Sequence, residues 1–337
     1  MRTIKLIAAV ISAAVIMAGC SGSNSSKSGE TVSAAPQTVE SSSQQSRTTA
    51  AETVSTTAAS TQQQITTATQ QTSSALNINS NVKAAAIYSP DDSRFIFGKA
   101  KDTKVPMAST TKLMTALVAL KYLSPDSIIT AGSELTLVHP ESSLCGLYPG
   151  CSLTLSQALY GLLLPSGNDA AYTIAVNTAR RASGDQTLTD ANAVKYFCTL
   201  MNSYANELGM TSTHFVNPEG WDDPNHYSTA ADMIKLACCA LENETIKTVC
   251  STQQYNFTTP AGGNLQWINS NKLIDKQSAY YTPGVFGMKT GTTQNAGSCL
   301  ITAYKTNGKT FICAVLGAST DDDRYIATRT ILNAYAK

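Results

Sequence analysis

The sequence predicts a mixed α/β (α+β) domain whose single antiparallel sheet is built from both ends of the folded chain. Helices should cover both faces of that sheet and form a helical subdomain. Three observations carry this. Two strand-like runs open the folded region, and two more, joined by Asn307-Gly308, close it ahead of a last helix. Almost everything between them has the patterning of helices.

The chain begins with a segment that belongs to no fold. "MRTIKLIAAVISAAVIMAGCSGS" has a short basic start (Arg2, Lys5), an apolar core and then small residues, the pattern of a secretory signal. It resembles a bacterial lipoprotein signal, with Met17-Ala18-Gly19-Cys20 where the lipobox belongs. The resemblance implies removal of residues 1–19, a diacylglycerol on the Cys20 sulfur, and an extracytoplasmic protein held to the membrane by that lipid. Residues 20–75 are rich in Ser, Thr, Gln and Ala, with almost no large apolar side chains. Such a composition cannot offset its ordering entropy, so a disordered tether is expected. About 55 residues of this kind have an r.m.s. span of roughly 40 Å.

The folded domain is expected over 76–337. "VKAAAIY" and "RFIFGKA" flank "SPDDS" and read as a hairpin. "LMTALVALKYL" follows, a helix apolar nearly all round and therefore buried. "LTLSQALYGLLL" is a second helical segment. Asp190 to Leu208 is a third, with Val194, Phe197, Cys198, Met201, Ala205 and Leu208 on one face and Gly209 as the stop. "SCLITAY" and "FICAVLGA" form a hairpin around Asn307-Gly308, and a last helix runs from about Asp322 to Ala336.

Bulk composition narrows the function. The chain has a formal net charge of +1 and 14% charged residues, which offers nothing to nucleic acid. After the N-terminus no apolar run is long enough for a membrane span. Beyond Cys20 there are eight cysteines. Cys198, Cys238, Cys239, Cys299 and Cys313 sit in apolar surroundings as small core residues, and Cys145 with Cys151, close together on a Gly-bearing loop, is the one candidate pair to test for a disulfide. There is no CxxC and no HExxH, so neither a metal nor another cofactor is expected.

Three short motifs carry chemistry. Ser109-Thr110-Thr111-Lys112 is an S-x-x-K at the start of the buried helix, where free N–H groups and the positive end of the dipole suit an oxyanion. Lys112, one turn on, lies on the same face as Ser109. Alone the motif is weak: Ser109 could equally be an N-cap and Lys112 a snorkelling side chain. Ser80-Asn81-Val82-Lys83 matches the same pattern. Ser166-Gly167-Asn168 could be a loop that caps a helix, and Lys289-Thr290-Gly291 an edge strand with a protective lysine.

The ordered set is another matter. S-x-x-K, then S-x-N, then K-T-G resembles the active-site signature of penicillin-binding proteins and serine β-lactamases. "PMASTTKLMTALVAL", "YGLLLPSGNDAA", "HFVNPEGWDDPNHYSTAADM" and "GVFGMKTGTTQNAGSCLITA" resemble the serine-type D-Ala-D-Ala carboxypeptidases, the low-molecular-mass penicillin-binding proteins. The similarity spans roughly Asn79 to Ala336 and implies the β-lactamase/transpeptidase-like fold. Two positions depart from the family: Cys151 stands where Glu is usual, and Trp221 where Leu is usual. Many relatives add a β-rich domain and a C-terminal amphipathic anchor. Here the lipid on Cys20 is expected to take over anchoring.

The resemblance implies a role for each motif residue. Ser109 would be the acylated nucleophile, Lys112 its base and Ser166 a proton relay to the leaving amine. Asn168 would hold Lys112 and the substrate amide. Lys289, Thr290, Gly291 and Thr292 would bind the substrate's terminal carboxylate and backbone, with the N–H groups of Ser109 and Thr292 as oxyanion hole. Burial should keep Lys112 partly neutral, and the charge of Lys289 should push the same way. Glu219 and His226 are read as loop-organising residues. The expected partners are peptidoglycan stem peptides and β-lactams as covalent inhibitors. A D,D-endopeptidase or a β-lactamase could use the same site, although S-G-N in place of S-D-N argues against the latter. A catalytically silent wall-binding lipoprotein would not need the intact set.

Overall fold

In a computed structural model of the protein, Ile78 and residues 81–337 are described. The signal segment, Cys20 and the tether to residue 75 lie outside the described residues. The opening hairpin is β1 (Val82–Ser89) and β2 (Arg94–Lys99), and the closing hairpin is β8 (Gly297–Thr306) and β9 (Lys309–Ala318). Asn307 and Gly308 turn between β8 and β9 with φ of 50° and 78°, the left-handed pair of a type I′ turn. β1 pairs antiparallel with β9, Ala85 opposite Val315, and this joins the two ends of the folded chain. The sheet order is β2-β1-β9-β8-β7, which leaves β7 (Val285–Thr293) at an edge.

Strand alternation divides the core. Ala85, Ile87, Phe311, Cys313 and Val315 point to one face and pack against Ala327, Ile331 and Leu332 of the last helix. Ala84, Ala86, Ile312, Ala314 and Leu316 point to the other and meet the main helical layer. That layer holds α1 (Lys112–Tyr122), α2 (Leu155–Leu163), α3 (Asn168–Ser183), α4 (Asp190–Glu207), α5 (Ala230–Glu242) and α6 (Glu244–Ser251). The last helix, α7 (Asp321–Tyr335), starts at a Thr320 cap that accepts the Asp323 N–H. The α/β (α+β) class, the sheet from both chain ends and the helices on both faces stand as expected.

Two small sheets were not legible from periodicity. β3 (Ile128–Thr130) pairs with β4 (Ser152–Thr154), each too short to show a period. β5 (Gln254–Thr258) and β6 (Asn264–Ile268) form a hairpin whose buried side chains are Phe257 and Trp267. The proposed disulfide is also corrected. Cys145 and Cys151 are both free thiols. Cys145 Sγ packs against Gly167, where a Cβ would come within 2.9 Å of it, and both cysteines are buried. Cys198, Cys299 and Cys313 are buried as expected, whereas Cys238 and Cys239 are half-buried. Among the described residues no helix is long and apolar enough to cross a membrane.

Candidate active site

Ser109 does not sit in the first turn of α1. It lies in a 3₁₀ turn, Ala108–Thr111, that leads into that helix. Side chains at i and i+3 eclipse in 3₁₀ geometry, so Ser109 and Lys112 stand one above the other. Ala108, just before the serine, has φ of 49°, a strained value for a residue with a side chain. From Met107 to Ala119 every residue is buried except Ser109. The hydroxyl is thus the one group this apolar segment presents to solvent. The competing S-x-x-K match has no such setting. Its Val82 and Lys83 belong to β1, and Lys83 Nζ donates to the Asn295 carbonyl at 2.9 Å.

Two glycines bring other backbones onto the Ser109 turn. A Cβ at Gly291 would lie 2.7 Å from the Ser109 nitrogen. At Gly220, where φ is +97°, a Cβ would overlap the Ala108 carbonyl. Only glycine allows the β7 strand and the 217–221 loop to close on the serine from either side.

Lys112 is fully buried and all three of its ammonium donors are taken. Nζ reaches Ser109 Oγ at 2.8 Å, Asn168 Oδ1 at 2.7 Å and the Glu219 carbonyl at 2.9 Å. Asn168 donates through Nδ2 to Ser142 Oγ at 2.8 Å, which fixes its oxygen toward the lysine. Beside it the Asp169 carboxylate accepts the N–H groups of Cys145, Gly146 and Leu147. Trp267 Nε1 bonds the Cys145 carbonyl at 2.7 Å. These contacts pin the loop that carries Ser142. Ser166 is buried with φ of 67°, a strained turn just before α3. Its hydroxyl has no hydrogen-bond partner among the described residues, so it does not join the Lys112 network.

On β7, Lys289 shares a face with Gly291 and is fully buried beside the Ser109 turn. Its Nζ donates to the Thr290 carbonyl at 2.8 Å. Thr290 Oγ1 pairs with Ser270 Oγ at 2.6 Å. Arg324 of α7 reaches the same strand: Nη1 donates to the Gly291 carbonyl at 3.1 Å and to Thr292 Oγ1 at 3.0 Å, and Nη2 pairs with Asp321.

Burial lowers Lys112 from its ordinary range to about 8, against the opposing pull of the Glu219 and Asp169 carboxylates. The expected push from Lys289 is corrected here. Burial is what lowers Lys112, and the mutual repulsion is felt by Lys289, which burial and then Lys112 hold well below the usual lysine range. His226 is structural, as read. Its Nδ1 accepts the Val216 N–H, so Nε2 carries the proton toward Thr111 Oγ1 at 2.8 Å. Burial lowers it to about 3 and keeps it neutral.

The structure therefore brings Ser109, Lys112 and Asn168 into one hydrogen-bonded set, with Lys289, Thr290, Gly291 and Thr292 on the adjoining strand. Sequence reasoning missed Ser142, Ser270 and Arg324, and gave Glu219 no part at the lysine. None of the four belongs to a motif; each arrives through long-range packing.

Comparison with known proteins agrees with this geometry. Residues 68–320 match the S11 peptidase family, D-alanyl-D-alanine carboxypeptidase. The chain is 36% identical over 247 residues to the D-alanyl-D-alanine carboxypeptidase of Streptomyces sp. strain K15, covering 71% of this chain and 81% of that protein. It is 32% identical over 245 residues to Bacillus subtilis DacF, a D-alanyl-D-alanine carboxypeptidase, covering 72% of this chain and 59% of that longer protein. The crystal structure of the Streptomyces K15 DD-transpeptidase superposes with a TM-score of 0.68 at 33% identity, covering 75% of this chain and 96% of that one. With a serine, a buried lysine and an asparagine joined beside a Lys-Thr-Gly strand, the chain belongs to the D-alanyl-D-alanine carboxypeptidase family of serine peptidases.

Proposed function

We propose that Ser109 and Lys112 are the nucleophile and general base of a D,D-carboxypeptidase reaction on the pentapeptide stems of peptidoglycan. The observation that carries this is the hydrogen bonding of Lys112. A neutral amine has two N–H groups and one lone pair. The Asn168 oxygen and the Glu219 carbonyl can only accept, so they take the two N–H groups and leave the lone pair facing Ser109 Oγ. The Ser109 proton passes to Lys112 as Oγ bonds to the carbonyl carbon of the penultimate D-Ala.

Charge on the carbonyl oxygen would be met by the N–H groups of Ser109 and Thr292. The C–N bond then breaks, and the amine of the terminal D-Ala leaves with a proton relayed through Ser166. Water cleaves the acyl ester and restores Ser109. Edge strand β7 offers its free side to the extended peptide, with Lys289 and Thr290 at the terminal carboxylate and Gly291 leaving room for it. A β-lactam would acylate the same hydroxyl. The enzyme works outside the cytoplasmic membrane, and the lipobox pattern at Cys20 supports a lipid anchor there.

A labelled penicillin tests the nucleophile. Label should be lost in Ser109→Ala and kept in the wild type; labelling of both would rule Ser109 out. Release of D-alanine from a D-Ala-D-Ala peptide distinguishes a carboxypeptidase from an endopeptidase, which frees cross-linked stems. Rapid penicillin turnover would mark a β-lactamase instead. Loss of detergent-phase partitioning in Cys20→Ala checks the anchor.

A further inference from the structure

Glu219 is buried to 3% exposure against the lysine, and only part of it is accounted for. Its backbone carbonyl accepts from Lys112, and its Oε1 accepts from the Tyr172 hydroxyl at 3.2 Å. Its Oε2 has no hydrogen-bond partner among the described residues. Buried carboxylates normally satisfy both oxygens, and one left bare marks a charge kept for a reason other than packing. We propose that the Glu219 carboxyl is a positioning residue for acylation: a buried negative charge, on the residue whose carbonyl holds Lys112, that sets the pH range in which the lysine is neutral. The proposal rests on Lys112 being the base of the reaction above.

The surroundings leave few other groups able to do this. Tyr172 on α3 and Cys198 on α4 face the carboxyl. Burial and the charge of Glu219 raise the phenol far above its usual value and the thiol to about 12, so both stay neutral. Around Lys112 itself stand Asp169, bound by four backbone N–H groups, Cys145, raised well above its usual range by burial, neutral His226 and depressed Lys289. Glu219 is pushed up by burial and drawn back down by Lys112, so lysine and carboxyl titrate against each other. The consequence has a direction. Burial alone would leave Lys112 a weaker base, and the carboxylate offsets this, keeping the amine basic enough to take the serine proton.

The test is the pH dependence of acylation of the full chain by a fluorescent penicillin, in wild type, Glu219→Gln and Lys112→Arg. Glutamine keeps the shape and the Tyr172 contact but removes the charge. The acid limb should then move down by about one pH unit, the size of effect a nearby opposite charge has. Relative to its own alkaline plateau, the low-pH rate rises about tenfold. A limb that stays in place in a variant with an unchanged melting temperature overturns the proposal. Should Glu219→Gln fail to fold, Tyr172→Phe replaces it. Losing the hydroxyl donor favours the protonated carboxyl, so the limb again moves down, by a smaller step, and an unmoved limb overturns the proposal. Lys112→Arg separates the two layers. If it retains acylation and its limb, the base has been misassigned and both readings fall. If it loses acylation while Glu219→Gln leaves the limb unmoved, only the role of Glu219 falls.

Discussion

Gly291 faces the backbone nitrogen of Ser109 so closely that a Cβ on residue 291 would stand 2.7 Å from it. Strand and 3₁₀ turn can approach this far only because position 291 has no side chain. Gly291→Ala should therefore displace the serine turn from β7. A misplacement of about 1 Å at an attacking group costs on the order of 10²-fold in rate. The expected result is a fall of that size in penicillin acylation, read by stopped-flow, with a folded circular dichroism spectrum. Wild-type acylation would mean that the gap closes without a cost to the site.

The lysine makes a sharper prediction because its chemistry has a sign. With Lys112 held at about 8, the neutral fraction rises with pH, so acylation should rise through that region and flatten above it. Below it the rate falls about tenfold per pH unit. Lys112→Arg keeps the charge but cannot give up its proton, and should lose about 10³-fold or more at every pH. Rate measurements across the pH range check both. A flat profile in the wild type would point to a different base.

The legible part of this protein was its local patterning. Ser109 with Lys112, and Ser166 with Asn168, are close in sequence, and Lys289 to Thr292 is a continuous strand, so each motif could be read in place. The hairpin at Asn307-Gly308 announces itself for the same reason. What could not be read was what the motifs lean on. Ser142 reaches Asn168 across 26 positions, and Arg324 reaches Gly291 across 33. No periodicity connects such pairs; the sheet and the helical layer bring them together. Glu219 was visible as a carboxylate in a loop, yet its hydrogen bond to Lys112 runs through its backbone carbonyl, an atom every residue carries.

Asp169 shows how a residue next to a motif can matter more for stability than for chemistry. Its buried carboxylate satisfies three consecutive N–H groups, those of Cys145, Gly146 and Leu147. Asp169→Ala strands the buried Cys145 and Leu147 donors away from water, and a buried donor without a partner costs about 1–3 kcal/mol. A loss of about 3 kcal/mol is expected, seen as a lower urea midpoint. Ser142 should lose its place with the loop, so residual folded protein should also acylate slowly. Unchanged stability would mean that water replaces the carboxylate.

Arg324 lies behind the Lys-Thr-Gly strand, 6% exposed, with one nitrogen on Gly291 and Thr292 and the other on Asp321. A planar fork can serve both sides at once, whereas the single ammonium of a lysine cannot. Arg324→Lys thus keeps the charge and loosens the strand that would carry the peptide, while leaving Ser109, Lys112 and Asn168 joined. One or two lost charge-assisted bonds amount to about 1.5–3 kcal/mol, and roughly tenfold weaker binding corresponds to the lower end. With a D-Ala-D-Ala peptide, KM should rise about tenfold while kcat stays within a few fold. A fall in kcat with KM unchanged would instead mean that Arg324 acts on the transition state, through Thr292 and the oxyanion.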